Sequence, residues 1–237
     1  MRLLALVLLL AVGSVVVPLA GASSAAREGV IVFTRGDARL IYAMRPDGSR
    51  LRLLTRLPAK SDTPSISPDG RWVAYVMAQG REERDDIFIR RLGTSGARRV
   101  TDDVINEGRP SWSPDGKRLV YSAENLSPAS QGNALYVVDV AGGGEPVQLS
   151  RGSGDYVHPD WSPDGRTIAY SWLRCPNCNV VSVRSMRRDG TRERVLALVH
   201  KTSIAWQARW SPTASGSCSS GATRSGRCGQ TVRTSAG

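Results

Sequence analysis

A four-residue sequence, Ser-Pro-Asp-Gly, occurs three times in this chain, and a fourth copy begins at Trp210. The successive serines are Ser67, Ser113, Ser162 and Ser211, so their spacings are 46, 49 and 49 residues. The same neighbours accompany the copies: a proline three residues before the serine (Pro64, Pro110, Pro159), isoleucine or tryptophan directly before it (Ile66, Trp112, Trp161, Trp210), and a tyrosine five residues after the glycine (Tyr75, Tyr121, Tyr170). A period of this length indicates a tandem repeat, in which equivalent units stack against one another.

The Pro-Asp-Gly core of each copy is typical of a tight turn. Proline presets φ, aspartate hydrogen-bonds to its own backbone, and glycine adopts positive φ. The residues assigned to these structural turns are Pro68, Asp69, Gly70, Pro114, Asp115, Gly116, Pro163, Asp164 and Gly165. Their regular spacing favours a turn role over catalysis or calcium binding.

Each unit also contains four short runs rich in β-forming residues, which is the content of one propeller blade. The sequence therefore predicts an all-β fold, a β-propeller of four-stranded blades. The expected blade units are about 29–62, 63–108, 109–157 and 158–206, with the start of another at 207–212. The first unit lacks a run for its innermost strand.

The repeat resembles the TolB-type, WD-like β-propeller repeat, whose hallmark is Trp-Ser-Pro-Asp-Gly followed by an Ile-Ala-aromatic strand. The resemblance covers residues 29–212 and is specific for the fold but weak for function. Members of the family usually have six or more blades, so the four blades here imply a fragment of a six-bladed type. TolB itself carries an α/β domain before its propeller, and nothing in this sequence matches that domain.

The two ends of the chain differ from the repeats. Arg2, the apolar run 3–20 and a small-residue site at Ala20 and Ala22 predict a signal peptide, 1–22, cleaved after Ala22, or else after Ala26. The alternative is an uncleaved anchor. Residues 213–237 lose the strand pattern, and we interpret them as a disordered or frame-shifted tail, because Thr-Ala replaces Asp-Gly at 213–214.

Several side chains could carry chemistry. Cys175 and Cys178 predict a local disulfide, with free thiols or a zinc or redox site as alternatives. The tryptophans that precede the repeated serines are expected to pack between blades rather than to stack on a ligand. The acidic residues Asp85, Asp86, Asp102, Asp103 and Glu107 are interpreted as a solvated face. We expect no catalytic residue, no cofactor and no metal site.

Composition limits the functions further. The chain has 32 Lys plus Arg against 21 Asp plus Glu, which gives a net charge of +11. Only three of the cationic residues are lysine, and the cationic residues as a whole are scattered along the chain. We expect no nucleic-acid partner and no membrane span in the mature chain. The predicted function is that of an extracytoplasmic (secreted or periplasmic) monomer that binds a protein or envelope polymer through the loops 78–86, 124–133 and 173–179. The alternatives are a propeller-scaffold lyase or glycosidase, with His158 as the residue to test, and a truncated product without function.

Overall fold

The computed structural model describes residues 15–17, 30–35, 40–45, 47–56, 64–79, 84–102, 107–124, 132–142, 144–174, 180–200, 208–210 and 232–234. All regular elements in these ranges are β-strands. None of the described residues belongs to a helix long and apolar enough to cross a bilayer.

The strands form four sheets of four strands and one pair. The first sheet contains β1 (Val15–Val17), β2 (Val30–Arg35), β3 (Leu40–Met44) and β4 (Arg52–Arg56). The second contains β5 (Ser65–Ile66), β6 (Trp72–Gln79), β7 (Arg84–Arg91) and β8 (Ala97–Arg99). The third contains β9 (Glu107–Trp112), β10 (Arg118–Glu124), β11 (Asn133–Asp139) and β12 (Val147–Gln148). The fourth contains β13 (Asp155–Trp161), β14 (Thr167–Leu173), β15 (Val180–Arg187) and β16 (Arg194–His200), and the pair is β17 (Ala208–Trp210) with β18 (Val232–Thr234).

Each four-stranded sheet is an antiparallel meander whose strands follow chain order. The first strands of successive sheets contact one another, β5 with β9, β9 with β13 and β13 with β17, so these strands lie nearest the common axis. The sheets are therefore blades, and the predicted all-β propeller of four-stranded blades is confirmed.

The core lies between the blades. The repeated tyrosines of β6, β10 and β14 are fully buried, and Tyr121 packs against Ala74, Ile87 and Ile89 of the preceding sheet. An aromatic partner packs on each of these tyrosines, either from the third strand, as in the stacked pair Tyr121–Tyr136, or from the first strand, as in Tyr156–Tyr170. Because burial of large apolar side chains is the main favourable term in folding, the repeated aromatic position holds adjacent blades together.

Three features of the strands differ from the sequence predictions. The first sheet has an innermost strand after all, because β1, from the segment predicted as a signal peptide, pairs with β2. The predicted loop 78–86 is mostly strand, because β6 and β7 remain paired out to Gln79 and Arg84. In the tail, where the sequence shows no strand pattern, residues 232–234 form β18 and pair with β17.

Candidate binding surface: the loop face

The blades have two opposite ends, which we call the turn face and the loop face. The turn face carries the Ser-Pro-Asp-Gly turns and the connections between third and fourth strands. The loop face carries the connections between second and third strands, together with the crossovers that lead to the next blade. The meander places the connections 80–83, 125–132 and 174–179 at this same end of the second, third and fourth sheets. Most residues of these connections lie outside the described ranges.

The turn face repeats one hydrogen-bond pattern in three blades. In the third blade, Ser113 Oγ donates to Asp115 Oδ1 (2.6 Å) and accepts the Arg118 N–H (2.9 Å), while Lys117 N donates to Asp115 Oδ1 (3.0 Å). Gly116 closes the turn with a φ of 69°. The hydrogen bond from Ser113 holds the pKa of Asp115 below its ordinary value, and burial opposes that shift only in part. Oδ1 of the Asp115 carboxylate thus accepts two hydrogen bonds within the turn.

The other predicted turn residues take equivalent positions. Ser67 donates to Asp69 and Ser162 donates to Asp164, each at 2.5 Å. Gly70 and Gly165 have φ values of 69° and 68°, and Pro68, Pro114 and Pro163 begin the turns. These aspartates define the ends of hairpins, and the turn engages Oδ1 of each carboxylate.

On the loop face, a buried acid joins the second blade to the third. Glu107, at the start of β9, accepts the backbone N–H of Ile87 (2.9 Å) and the hydroxyl of Thr101. The side chain is 4% exposed. Because Ile87 lies in the middle of β7, this contact fixes a third strand against the first strand of the next blade.

A second buried acid lies within the second blade itself. Asp86 is 1% exposed and accepts a hydrogen bond from the guanidinium of Arg99 (2.8 Å). The same guanidinium forms an ion pair with the exposed Asp102 (2.6 Å). The hydrogen bond to Asp86 raises the pKa of Arg99 above its usual value. The prediction of a solvated acidic face is therefore wrong for Asp86 and Glu107, because β-pairing carries them inward to cationic and backbone donors. Asp103 lies outside the described residues.

The joint between the third and fourth blades has the same design with different residues. Asp155, at the start of β13, accepts the backbone N–H of Asn133 (2.9 Å) and its side-chain amide (3.2 Å). The backbones also approach closely, since a Cβ on Gly132 would lie 2.8 Å from the Gly154 carbonyl oxygen. We call these two contacts, Glu107 to Ile87 and Asp155 to Asn133, the acid latches. The sequence signal that could have revealed them is an acid three or four residues before the repeated proline.

The tryptophans pack between blades as predicted. Trp112 and Trp161 are buried, and Trp210 packs on Ala169 and Val183 of the fourth sheet. The indole N–H of Trp112 donates to the Ser65 carbonyl of the preceding blade (3.0 Å). Equivalent contacts link Trp210 to Asp160, whose carbonyl accepts the indole N–H (3.0 Å) and whose carboxylate accepts the backbone N–H (2.9 Å).

His158 lies on the innermost strand β13, directly before Pro159. It is half-buried, has a φ of 56°, and lies in a register shift of the β13–β14 pair. Arg109, directly before Pro110, has a φ of 54° at a register shift in the equivalent strand. The unusual backbone is therefore a property of the repeat rather than of one histidine.

Other candidate chemistry is sparse. No group of three or more His, Cys, Asp or Glu side chains within the described ranges could hold a metal ion. Cys175 and Cys178 lie outside those ranges. On the turn face, a cavity of about 150 Å³ is lined in part by Ser113, Asp115 and Trp161. This volume is well below the roughly 300 Å³ of the smallest common ligand pockets.

The blades, their turns and their interblade tyrosines match a known family, the TolB beta propeller domain, over residues 30–215. The chain belongs to this family. It is 36% identical over 92 residues to the "Tol-Pal system protein TolB" of Alcanivorax borkumensis, a match that covers 38% of this chain and 21% of the relative. It is 34% identical over 84 residues to the "Uncharacterized peptidase YuxL" of Bacillus subtilis, and this match covers 34% of this chain and 12% of the relative.

Among solved structures, TolB from Acinetobacter baumannii superposes with a TM-score of 0.60 at 21% identity. The superposition covers 79% of this chain and 44% of that one. At this identity the likeness establishes the shared fold. This chain thus corresponds to less than half of the solved TolB and to smaller parts of the sequence relatives.

Proposed function

We propose that this chain is an exported, non-catalytic propeller that binds a protein of the cell envelope through its loop face. The observation that carries the proposal is the pair of acid latches, Glu107 on Ile87 and Asp155 on Asn133. They join the third strands of the second and third blades to the first strand of the following blade, which supports the loops of three blades as one continuous surface. Rigid scaffolds that present variable loops are a common design for recognition.

Family membership supports the envelope part of the proposal. The relative from Alcanivorax borkumensis is named as a protein of the Tol-Pal system, and export would follow from the predicted signal peptide at 1–22. The sequence also allows an envelope polymer as the partner. Crosslinking distinguishes the two partners by the chemical nature of the adduct.

The chemistry of the described residues supports binding rather than turnover. The repeated aspartates are engaged in turns, and the buried acids Asp86 and Glu107 are engaged by Arg99, Thr101 and backbone. The enzyme alternative depends on His158, but Arg109 shares its backbone geometry at the equivalent position. Loss of any turnover in a His158→Ala variant would favour the enzyme.

Site-specific crosslinking tests the proposal in the producing cell. A photo-reactive amino acid replaces Glu124, which is exposed at the loop face of the third blade, or Glu145, which is exposed near the turn face of the same blade. We expect Glu124 to give a discrete protein adduct in the extracytoplasmic fraction and Glu145 to give none. Mass spectrometry identifies the adduct, and the purified pair should then bind with a measurable Kd.

The outcomes separate the alternatives. An adduct with glycan or lipopolysaccharide at Glu124 would replace the protein partner by an envelope polymer. Equal adducts from both positions, or an adduct from Glu145 alone, would contradict the loop face as the binding surface.

A further inference from the structure

The outer strand of the fourth blade, β16, differs from the other outer strands. It has seven residues, whereas β4 has five, β8 has three and β12 has two. It also exposes three large aliphatic side chains, Val195 (56%), Leu196 (45%) and Leu198 (72%). A long apolar outer strand is uncommon, because proteins usually keep such edges short or charged.

One edge of β16 is open. The strand pairs with β15 and is the last strand of its sheet, so its outer N–H and C=O groups have no partner strand among the described residues. Positions 195–199 contain neither proline nor a charged residue, two of the usual means of protecting an edge. One register shift lies opposite Val183 and Arg184, and from Ala197 to His200 the pairing is regular.

The surroundings of β16 are basic. Arg187, Arg188, Arg192 and Arg194 are exposed in the β15–β16 turn and at its ends. The turn holds two acids: Asp189 accepts the Thr191 N–H (3.0 Å), and Glu193 is paired with Arg184 at 2.5 Å. A second copy of this chain would bring the same cations, with a net charge of +11 per chain, against this edge. Like charges across an interface are unfavourable, whereas an acidic segment is complementary.

We propose that β16 binds an extended segment of another protein as an added strand, in which aliphatic residues alternate with acidic ones. Backbone hydrogen bonds to the open edge would supply affinity, and alternate side chains would supply specificity. The aliphatic side chains would lie beside Leu198 and Val195, and the acidic ones would face Arg192 and Arg194. This goes beyond the loop-face proposal, since β16 lies at the rim of the blade and its binding is independent of the loops.

The probe is a synthetic nine-residue peptide of alternating glutamate and valine with a fluorescent label, and the control peptide has lysine in place of glutamate. Fluorescence polarisation measures binding to the full chain at low and high salt. We expect the glutamate peptide alone to bind, and to bind more weakly at high salt, because ions screen surface charges over roughly 10 Å at 0.1 M.

Two variants locate the site. Leu198→Glu should weaken binding of the glutamate peptide by about tenfold or more, since it places a like charge on the edge. Leu53→Glu, at a 51% exposed position on the outer strand β4, is the matched control and should leave binding unchanged. Arg194→Glu should weaken the glutamate peptide and strengthen the lysine peptide, a swap that a merely misfolded variant cannot produce.

Three results would overturn the inference. Binding that survives Leu198→Glu would place the peptide elsewhere, and equal binding of both peptides, or of neither, would remove the acidic specificity. A doubled mass in sedimentation that Leu198→Glu returns to the monomer value would identify a second copy of the chain as the occupant. Failure of the loop-face crosslink would leave all of these readouts unchanged.

Discussion

At the scale of single residues, acidic side chains have different roles in this chain. Asp115 is exposed and holds a turn, while Glu107 is buried and joins two blades. The turn role could be predicted, because proline, aspartate and glycine each have a fixed local task in four consecutive residues. The burial of Glu107 could not, because it depends on Ile87 and Thr101, which only the folded sheet brings within reach.

The first prediction concerns the turn carboxylate. Asp115→Asn should lower the free energy of unfolding by about 1 kcal/mol at neutral pH, because it weakens charge-assisted hydrogen bonds. The pKa of folded Asp115 lies below its ordinary value of 3.8. The stabilisation is therefore complete above 3.8 and is lost as the pH falls through the lowered pKa.

Urea unfolding from about pH 6 down to about pH 3 measures this. The difference between the wild type and Asp115→Asn should shrink as the pH falls. A difference that grows on acidification would show that the sign of the shift is wrong.

The second prediction concerns the buried acid. Glu107→Ala should lower the free energy of unfolding by about 1–3 kcal/mol, because it leaves the buried Thr101 hydroxyl without its acceptor and the buried Ile87 N–H with Thr101 Oγ1 alone. Glu145→Ala, at an exposed position, is the control and should have little effect. Equal unfolding midpoints in urea for both variants would contradict a structural role for Glu107.

At the scale of the strands, regular units carry small irregularities. The tryptophan before three of the four repeated serines could be placed between blades from its register alone. Its hydrogen bonds could not, because the Trp112 N–H reaches a carbonyl while Trp161 Nε1 is buried without a partner among the described residues. The extension of β6 and β7 was likewise hidden, because Asp85 and Asp86 resemble loop residues in the sequence.

The third prediction concerns the difference between the hydrogen-bonded indole N–H of Trp112 and the indole N–H of Trp161. Trp112→Phe keeps an aromatic ring but removes the hydrogen bond to Ser65, and it should cost about 1 kcal/mol more than Trp161→Phe. Both rings are equally buried, so the loss of ring volume largely cancels. Thermal or urea unfolding of the two variants provides the comparison, and a larger loss for Trp161→Phe would contradict the proposed hydrogen-bond contribution.

At the scale of the whole molecule, the fold class and the blade repeat could be predicted because a 46- to 49-residue period leaves few alternatives. The set of strands that forms the first blade could not be predicted from the sequence. Residues 15–17 belong to a segment with the pattern of a signal peptide, yet they complete the first sheet as β1. Removal of the signal peptide would leave the inner edge of β2 open.

The fourth prediction follows from export. Protein recovered from the extracytoplasmic fraction should begin at Ser23, which intact-mass measurement and N-terminal sequencing determine. A mature chain that still begins at Met1 would retain β1 as a permanent part of the first blade and would contradict cleavage.

The most direct test of the central claim is amide hydrogen exchange of the purified chain with its crosslinked partner. Binding on the loop face predicts slower exchange at Arg84, Glu124 and Asn133, at the loop ends of their strands, with no change at Arg71, Lys117 and Arg166 in the turns. Protection confined to the turn amides would contradict the account, as would a partner that leaves the loop-face amides unchanged.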